Sequence, residues 1–232
     1  MADLSDHLIT RKYSATRPDV IQLYSYPTPN GVKASAMLEE TGLDYEPHLI
    51  RLNETTTPEF LSLNPNNKIP AILDPNGPDG VPMQLWESGA ILIYLAERTG
   101  QFLPTGAARH ETIQWVMFQM GGLGPMFGQL GFFHKFAGSE IEDPRPKQRY
   151  VDEGKRLLAV LDGRLDGREF IMGDDYTIAD MASWAWVRAV VEFYGAGDLL
   201  GYDGFKNVDR WLTTCLDRPA SQAALKIPDP SA

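Results

Sequence analysis

The chain has 232 residues, of which 43% are hydrophobic and 10% aromatic, and a formal net charge of −10 with a pI of about 4.8. This composition is typical of a folded globular protein, and the acidic charge argues against a nucleic-acid partner, which needs a basic surface. Cys215 is the only cysteine, so the chain can form neither an intrachain disulfide nor a Cys-x-x-Cys redox site.

Residues 1–19 are polar and show no periodicity, which predicts an N-terminal extension. This segment lacks the apolar core of a signal peptide and carries early acidic residues. The longest apolar run, AILIYLA from Ala90, is far shorter than the ~20 residues of a membrane span. We therefore predict a cytoplasmic protein that contacts no membrane.

Residues 20–103 alternate between short strand patterns and helix patterns. Strand patterns lie at residues 20–25, 45–52, 69–74 and 82–87, and helix patterns at residues 31–41, 57–64 and 88–99. Gly42 is placed to end the first helix, and Thr57 and Pro58 are placed to begin the second. The order βαβ-α-ββα predicts a parallel strand pair with a right-handed crossover, followed by a hairpin.

Helical periodicity replaces the strand patterns after a linker at residues 104–107. Two segments carry apolar or small residues at helical spacing, namely Tyr150, Gly154, Leu157, Leu158, Leu161 and Leu165, and Val208, Trp211, Leu212, Cys215 and Leu216. The fold class is therefore α/β plus all-α, with a helical domain at residues 108–225 and a tail at residues 226–232. Cys215 lies on an apolar face, which favours a buried thiol over a reactive one.

The glycine-rich segment GGLGPMFGQLG (residues 121–131) interrupts this helical region. Its glycines and Pro125 predict either a bend between helices or a place where a backbone or a ligand comes close. The sequence does not decide between the two.

The segment NKIPAIL begins the third strand with Pro70. In thioredoxin-like units a cis proline at this point lets the preceding backbone pair with a peptide-like ligand. An ordinary trans proline at the start of a strand is the alternative.

The dipeptide Glu87–Ser88 joins the fourth strand to a helix. A helix start suits a carboxylate and the glutamate suits an ammonium, so the pair matches an amino-acid-like ligand. The alternative is that Ser88 is an ordinary helix cap.

The segment TIAD, Thr177 to Asp180, precedes an apolar helical run and has the pattern of a capping box. We therefore interpret Asp180 as a structural residue and not as a catalyst. The four histidines have no metal-type spacing, so we expect no metal site.

Four motifs, in order, resemble those of the glutathione transferases: PTPNG after the first strand, NNKIPAIL at the third, ESGAILIYLAE after the fourth, and YTIADMASW in the helical part. The resemblance covers residues 21–225. PTPNG and GGLGPM are similar to the Nu class, whose members are glutathione-dependent disulfide-bond oxidoreductases and resemble the yeast nitrogen regulator. It implies the glutathione transferase fold, with a thioredoxin-like domain at residues 20–103 before the helical bundle, and a homodimer.

The resemblance also implies a site for glutathione. The residues similar to those that hold it are Asn53, Lys68, Ile69, Pro70, Glu87 and Ser88. Glu87 and Ser88 would hold the γ-glutamyl end, the Ile69 backbone would pair with the cysteinyl peptide, and Asn53 and Lys68 would meet the glycyl carboxylate.

Thr28 and Asn30 are similar to the residues that face the glutathione sulfur, with Tyr26 and Lys33 as further neighbours. Arg149 resembles an arginine that reaches a second glutathione. The segment YPTPNGVK has no cysteine, histidine or carboxylate, so the nucleophile would belong to the ligand. Lys33, Lys68, Arg149 and Arg145 would offset the ligands' negative charge, or would be solvated surface cations.

The chain departs from the Nu-class pattern at Thr55, where relatives often carry glutamine, and in the extension, which we expect to pack across a dimer. Two alternatives to a disulfide reductase remain. One is a transferase or lyase that acts on an electrophile or aryl ether, with Tyr24, Ser25 or Tyr26 near the sulfur. The other is a glutathione-binding regulator without turnover.

Overall fold

The structure, a computed structural model, describes residues 4–231, so residues 1–3 of the predicted extension and residue 232 of the predicted tail lie outside it. The described chain divides into two compact units. Residues 4–99 and 219–231 form the first unit, and residues 100–218 form the second.

The first unit is built on a four-stranded sheet. Its strands are β1 (Ile21–Ser25), β2 (Tyr45–Leu49), β3 (Ala71–Asp74) and β4 (Met83–Trp86). The spatial order is β2-β1-β3-β4, with β1 parallel to β2 and the other two pairings antiparallel. Both the predicted parallel pair and the predicted hairpin are confirmed.

Three helices connect these strands: α1 (Pro29–Thr41), α2 (Pro58–Leu63) and α3 (Ser88–Thr99). α1 ends at Gly42, whose φ of 66° is the left-handed conformation that a glycine adopts easily. Thr57 caps α2 by accepting a hydrogen bond from the Phe60 N–H. The predicted helix signals are therefore confirmed, although α1 begins two residues before the predicted start at residue 31.

The described part of the N-terminal extension packs on its own unit. Leu4 and Ile9 are buried in a hydrophobic cluster with seven residues of the domain, namely Tyr24, Ile50, Phe60, Leu63, Ile69, Ala71 and Leu73. The Thr16 and Arg17 backbone N–H groups donate to the Glu46 carboxylate at 2.9 and 2.7 Å. Residues 4–19 therefore form part of this unit's core and surface, and packing across a dimer stays a prediction.

The second unit is helical, as predicted. Its helices are α4 (Gly106–Phe118), α5 (Gly124–His134), α6 (Pro144–Arg164), α7 (Ile178–Arg188), α8 (Gly197–Leu200) and α9 (Lys206–Leu216). Cys215 is fully buried on α9, which confirms the predicted core thiol. No helix within residues 4–231 has both the length and the apolar character that crossing a membrane would require.

The glycine-rich segment continues the helical path instead of breaking it. A π-helical turn at Gln119–Leu123 joins α4 to α5, and Pro125 lies in the first turn of α5. A Cβ atom on Gly131 would lie 2.5 Å from the Tyr194 ring. Gly131 thus permits a close approach, and the partner at that position is a side chain of the same unit.

The Thr177–Asp180 capping box forms as predicted at the start of α7. Asp180 is fully buried, and its carboxylate accepts hydrogen bonds from the Thr177 and Ile171 N–H groups and from the Trp211 ring N–H. The structural interpretation of Asp180 is confirmed.

The last helix, α10 (Pro219–Ala224), packs on α1 and belongs to the first unit. Beyond it, the Ile227 carbonyl accepts a hydrogen bond from Ser35 Oγ of α1 at 3.0 Å. We predicted that the helical domain would run to residue 225, whereas the second unit ends at Arg218 because these contacts tie the final segment to α1.

Candidate active site

Four chain segments meet at one edge of the sheet. Ser25, the last residue of β1, pairs with Leu49, the last residue of β2. Tyr24 pairs with Ala71, the first residue of β3, and Ala71 pairs with Trp86, the last residue of β4. The segments after β1, after β2, before β3 and after β4 therefore leave the sheet on the same side.

These segments carry most of the residues that the sequence singled out. Along the chain they are Tyr26, Thr28 and Asn30 after β1, Asn53 after β2, Lys68, Ile69 and Pro70 before β3, and Glu87 and Ser88 after β4. Lys33 follows one turn into α1. Antiparallel and parallel pairing together bring residues distant in sequence to a common edge, where they could surround one small ligand.

The start of α1 holds Thr28 and Asn30 in a fixed turn. The Thr28 N–H donates to the Tyr26 carbonyl at 2.7 Å, and Thr28 Oγ1 accepts from the Gly31 N–H at 3.3 Å. A hydroxyl that accepts in this way still has one proton to donate. Asn30 is half-buried in the first turn of α1, where the helix dipole favours a negative charge.

Gly31 makes this turn possible. A Cβ atom at this position would lie 1.9 Å from the Tyr26 carbonyl oxygen and 2.6 Å from Ser25 Oγ. Because the nearest atom belongs to the backbone, a side chain could not be accommodated without moving the turn. Glycine at position 31 is therefore required by the geometry that positions Thr28 and Asn30.

The Ile69–Pro70 peptide bond is cis. The cis proline predicted for the KIP motif is therefore confirmed, and the trans alternative is wrong. Ile69 and Pro70 are buried, whereas Lys68 and Asn53 are exposed. The Lys68 carbonyl accepts a hydrogen bond from Asn64 Nδ2 at 2.6 Å. Asn64 thus fixes the backbone just before the cis bond and leaves the Lys68 side chain exposed.

Glu87 has a φ of 72°, a conformation that is uncommon for a residue with a side chain. Its carbonyl accepts the first backbone hydrogen bond of α3, from the Ile91 N–H at 2.9 Å. Glu87 therefore occupies the capping position and Ser88 is the first residue of the helix, so the alternative of Ser88 as the cap is wrong. Asn66 Nδ2 donates to the Glu87 carboxylate at 3.4 Å.

Lys33 is fully buried, so the alternative of a solvated surface cation is wrong for this residue. Its Nζ donates to Ser88 Oγ at 3.2 Å and so joins α1 to the start of α3. Burial lowers the pKa of Lys33 to about 7, and the negative charge of Glu87 acts in the opposite direction. Ser88 is also buried, with 3% of its surface exposed.

Arg149 lies on α6 in the second unit, and its predicted contact with a second glutathione stays a prediction. It lines a cavity of about 680 Å³ whose other lining residues are Met126, Arg145, Gln148, Tyr150, Asp152, Glu153 and Arg156. Arg156 and, to a smaller extent, Arg149 lower the pKa of Glu153. Arg145 pairs with Asp143, the residue that caps α6.

Sequence reasoning missed Asn66 and the pairing of Lys33 with Ser88. Asn66 lies in the segment NPNN just before the KIP motif, so its place at the sheet edge follows from the strand register alone. Thr55, where the chain departs from the Nu-class pattern, is buried, and its hydroxyl donates to the Leu52 carbonyl at 3.1 Å. That hydroxyl therefore stabilises its own turn.

The described residues contain neither a cluster of metal ligands nor an exposed thiol. Within residues 4–231, no three His, Cys, Asp or Glu side chains are grouped as metal ligands would be. Cys215, the chain's one cysteine, is buried on α9 in the second unit. The sheet edge offers hydroxyl, amide, carboxylate and ammonium groups, which suit binding and charge stabilisation.

Two family models match the chain. The model of the glutathione S-transferase N-terminal domain matches residues 19–97, and that of the C-terminal domain matches residues 125–219. Among curated proteins, the chain is 45% identical to the disulfide-bond oxidoreductase YfcG of Escherichia coli (strain K12). This similarity covers 89% of the chain and 94% of YfcG.

Two solved structures are very similar to the whole chain. A glutathione transferase of Burkholderia graminis, with two glutathione molecules bound per subunit, has a TM-score of 0.97 and 64% identity, over 99% of this chain and 97% of that one. A glutathione transferase of Pseudomonas putida, with one glutathione disulfide bound per subunit, has a TM-score of 0.96 and 59% identity, over 97% of this chain and 99% of that one.

Proposed function

Because the chain belongs to the Nu-like class of the glutathione S-transferase superfamily, we propose that it is a glutathione-dependent disulfide-bond reductase. It binds two glutathione molecules, or one oxidised glutathione, and uses the thiolate of glutathione in place of a protein cysteine. Its second substrate is a small-molecule disulfide. The relatives' recorded activity and bound ligands support this proposal.

The start of α1 is the observation that carries the proposal. Thr28 and Asn30 lie at the sheet edge where Ile69, Glu87 and Ser88 also lie, none of these residues is a cysteine, and the chain's one cysteine is fully buried on α9. A site that offers hydrogen bonds and a helix dipole without a nucleophile suits a ligand that brings its own sulfur.

The thiol of a cysteine peptide has a pKa of about 8.5, so only a few per cent is thiolate at neutral pH. In the proposed complex the Thr28 hydroxyl and the Asn30 amide donate hydrogen bonds to the glutathione sulfur. Hydrogen bonds to the charged form and the dipole of α1 both lower the thiol pKa. The protein thereby raises the thiolate fraction without supplying a base.

The remaining edge residues hold the ligand. Glu87 takes the α-ammonium of the γ-glutamyl group and Ser88 its α-carboxylate, while the Ile69 backbone pairs with the cysteinyl peptide. Asn53 and Lys68, both exposed, meet the glycyl carboxylate. The positive φ of Glu87 is consistent with this role, since residues in sparsely populated conformations cluster at ligand sites.

The reaction is two successive thiol–disulfide exchanges. The thiolate of the first glutathione attacks one sulfur of the substrate disulfide, forms a mixed disulfide, and releases the other sulfur as a thiolate that takes up a proton. The thiolate of the second glutathione then attacks the glutathione sulfur of the mixed disulfide. The products are oxidised glutathione and a second substrate thiol, so two glutathiones supply both electrons.

In this proposal Arg149 binds the second glutathione. It lies beside Arg145 in the cavity on α6, and a guanidinium binds a carboxylate through two parallel hydrogen bonds. Reduced glutathione is abundant in the cytoplasm, where thiols are kept reduced, and we propose that the enzyme works there as a homodimer.

The proposal is tested by turnover of a small mixed disulfide with glutathione, beside conjugation of an aryl halide, for the wild type and for Asn30→Ala. We expect disulfide reduction by the wild type and a fall of about tenfold or more in Asn30→Ala, because a hydrogen bond to the thiolate is lost. Asn76→Ala is the matched control, since this exposed asparagine follows β3 at the opposite edge of the sheet.

Conjugation without disulfide reduction would contradict the proposal and favour the transferase or lyase. The structure weakens that alternative for two of its residues, because Tyr24 and Ser25 are fully buried and burial raises the pKa of Tyr24. Tyr26 is half-buried and remains a candidate. Glutathione binding without either activity would favour the regulator.

A further inference from the structure

Lys33 is the one lysine or arginine in residues 4–231 that is fully buried. It projects from α1 to the first residue of α3, where its Nζ lies 3.2 Å from Ser88 Oγ. Lysine is almost never fully buried unless it is paired, because removing an ammonium from water is costly. It contacts Ser88, a residue of the proposed glutathione site, so its charge acts close to that site.

The donor and acceptor chemistry of the two groups fixes their roles. An ammonium has three donors and no acceptor, so in the contact with Lys33 the Ser88 oxygen must accept. The proton of the Ser88 hydroxyl is then directed to another acceptor. A neutral amine could instead accept from Ser88 and turn that proton away from a ligand.

Charge gives a second consequence. Glu87 precedes Ser88 in the chain and acts electrostatically on Lys33, so a negative and a positive group lie together at the start of α3. The γ-glutamyl end of glutathione carries an ammonium and a carboxylate on one carbon atom. A buried cation behind Ser88 complements the carboxylate, as Glu87 complements the ammonium.

We propose that Lys33 is a positioning residue of the glutathione site: its ammonium orients the Ser88 hydroxyl as a donor to the γ-glutamyl α-carboxylate and adds a positive charge behind that contact. The inference rests on the proposed function, since it assumes that Ser88 meets this carboxylate. It assigns a defined role at the γ-glutamyl end to a residue that the resemblance placed near the sulfur and among the cations that would offset the ligands' negative charge.

Support comes from the balance of effects on the amine. Burial lowers the pKa of Lys33 to about 7 and Glu87 raises it, so the free protein holds both protonation states near neutral pH. A bound carboxylate favours the ammonium through Ser88 and through charge. Binding of the ligand thus stabilises the form of Lys33 that orients Ser88 correctly.

The test is a comparison of two ligands by titration calorimetry. One is glutathione, and the other is γ-aminobutyryl-cysteinyl-glycine, which is glutathione without its α-carboxylate. We expect Lys33→Met to lower the affinity for glutathione by about tenfold or more and to leave the affinity for the analogue nearly unchanged. Methionine is unbranched and fills a similar volume, so we expect the variant to fold, and thermal unfolding of the variant checks this before the titrations.

Two further variants separate positioning from structure. Lys226→Met removes an exposed lysine of the same unit and should change neither affinity. In a Ser88→Ala background, adding Lys33→Met should lower the affinity for glutathione much less than it does in the wild type, because Lys33 acts through Ser88. If Lys33→Met weakens both ligands equally, or neither, the inference is overturned.

Different results would overturn the reductase proposal and the proposed role of Lys33. A wild type that binds glutathione without reducing disulfides would overturn the reductase proposal while the ligand comparison still decides the role of Lys33. A wild type that binds no glutathione would overturn both.

Discussion

The carboxylate of Asp180 links three parts of the second unit. It accepts hydrogen bonds from Thr177 at the start of α7, from Ile171 in the preceding loop, and from Trp211 on α9. Each of these donors would be left unsatisfied in a buried setting if the acceptor were lost. Asp180 therefore contributes to stability and not to chemistry.

We expect Asp180→Asn to lower the free energy of unfolding by about 2–4 kcal/mol, because an amide replaces an acceptor oxygen with a donor that faces buried N–H groups. Urea unfolding at constant pH measures the change. Asp166→Asn is the control, since Asp166 is exposed in the same unit and should change stability by less than about 0.5 kcal/mol.

The pH dependence of the wild type gives a second readout of the same residue. Burial raises the pKa of Asp180 to about 6 in the folded state, above the value of about 3.9 in an unfolded chain. The folded state therefore holds this proton more tightly, and the contribution to stability falls as pH rises from about 4 to 6. The fall should be absent in Asp180→Asn, and an identical pH profile in both proteins would contradict the assignment.

At this scale the sequence predicted residues that belong to motifs and missed residues whose role depends on packing. Asp180 was identified because a capping box is local in sequence, spanning Thr177 to Asp180. The burial of Lys33 could not be predicted, because it depends on how α1 packs against α3, and Ser88 is 55 residues away along the chain. The contact of Asn66 with Glu87 also joins residues distant in sequence, 21 positions apart, and depends on the register of the strands.

The first turn of α1 is the element on which the proposed chemistry depends. It is fixed by the Thr28 cap and by the close approach of Gly31 to the Tyr26 carbonyl. A displaced turn would move Thr28 and Asn30 together, so the helix start acts as one unit.

We expect Gly31→Ala to reduce disulfide turnover by about tenfold or more and to destabilise the protein by about 1–3 kcal/mol, because its Cβ would overlap backbone. Activity assays and thermal unfolding measure the two effects. Gly163→Ala is the control: this glycine of α6 has open space around it, and alanine should raise stability by up to about 1 kcal/mol. Normal turnover by Gly31→Ala would show that the turn tolerates a side chain.

Element order was predictable wherever local signals exist, as in the strands, in α1 to α3 and in α7. Two features were not. The sequence does not predict the π-helical turn at Gln119–Leu123, because its glycines permit both a bend between helices and a close approach. The placement of α10 with the first unit depends on its contacts with α1, which sequence periodicity does not encode.

Taken as a whole, the molecule is acidic, with a net charge of −10, yet its proposed ligands are anions. In the proposed complexes the attraction comes from local groups, which in the first unit are Lys68 and the buried Lys33. Such short-range recognition is consistent with Asn and Thr side chains, not a basic surface, at the proposed sulfur site.

The central claim is that disulfide reduction needs no thiol of the protein. Cys215 is the chain's one cysteine, and it is fully buried on α9. The most direct measurement is glutathione-dependent reduction of a small mixed disulfide by Cys215→Ser, with Cys215→Ala as a second variant that avoids a buried hydroxyl. We predict kcat/KM within about twofold of the wild type for whichever variant unfolds at a normal temperature, because the sulfur comes from glutathione. Abolished turnover in a correctly folded variant would contradict the account.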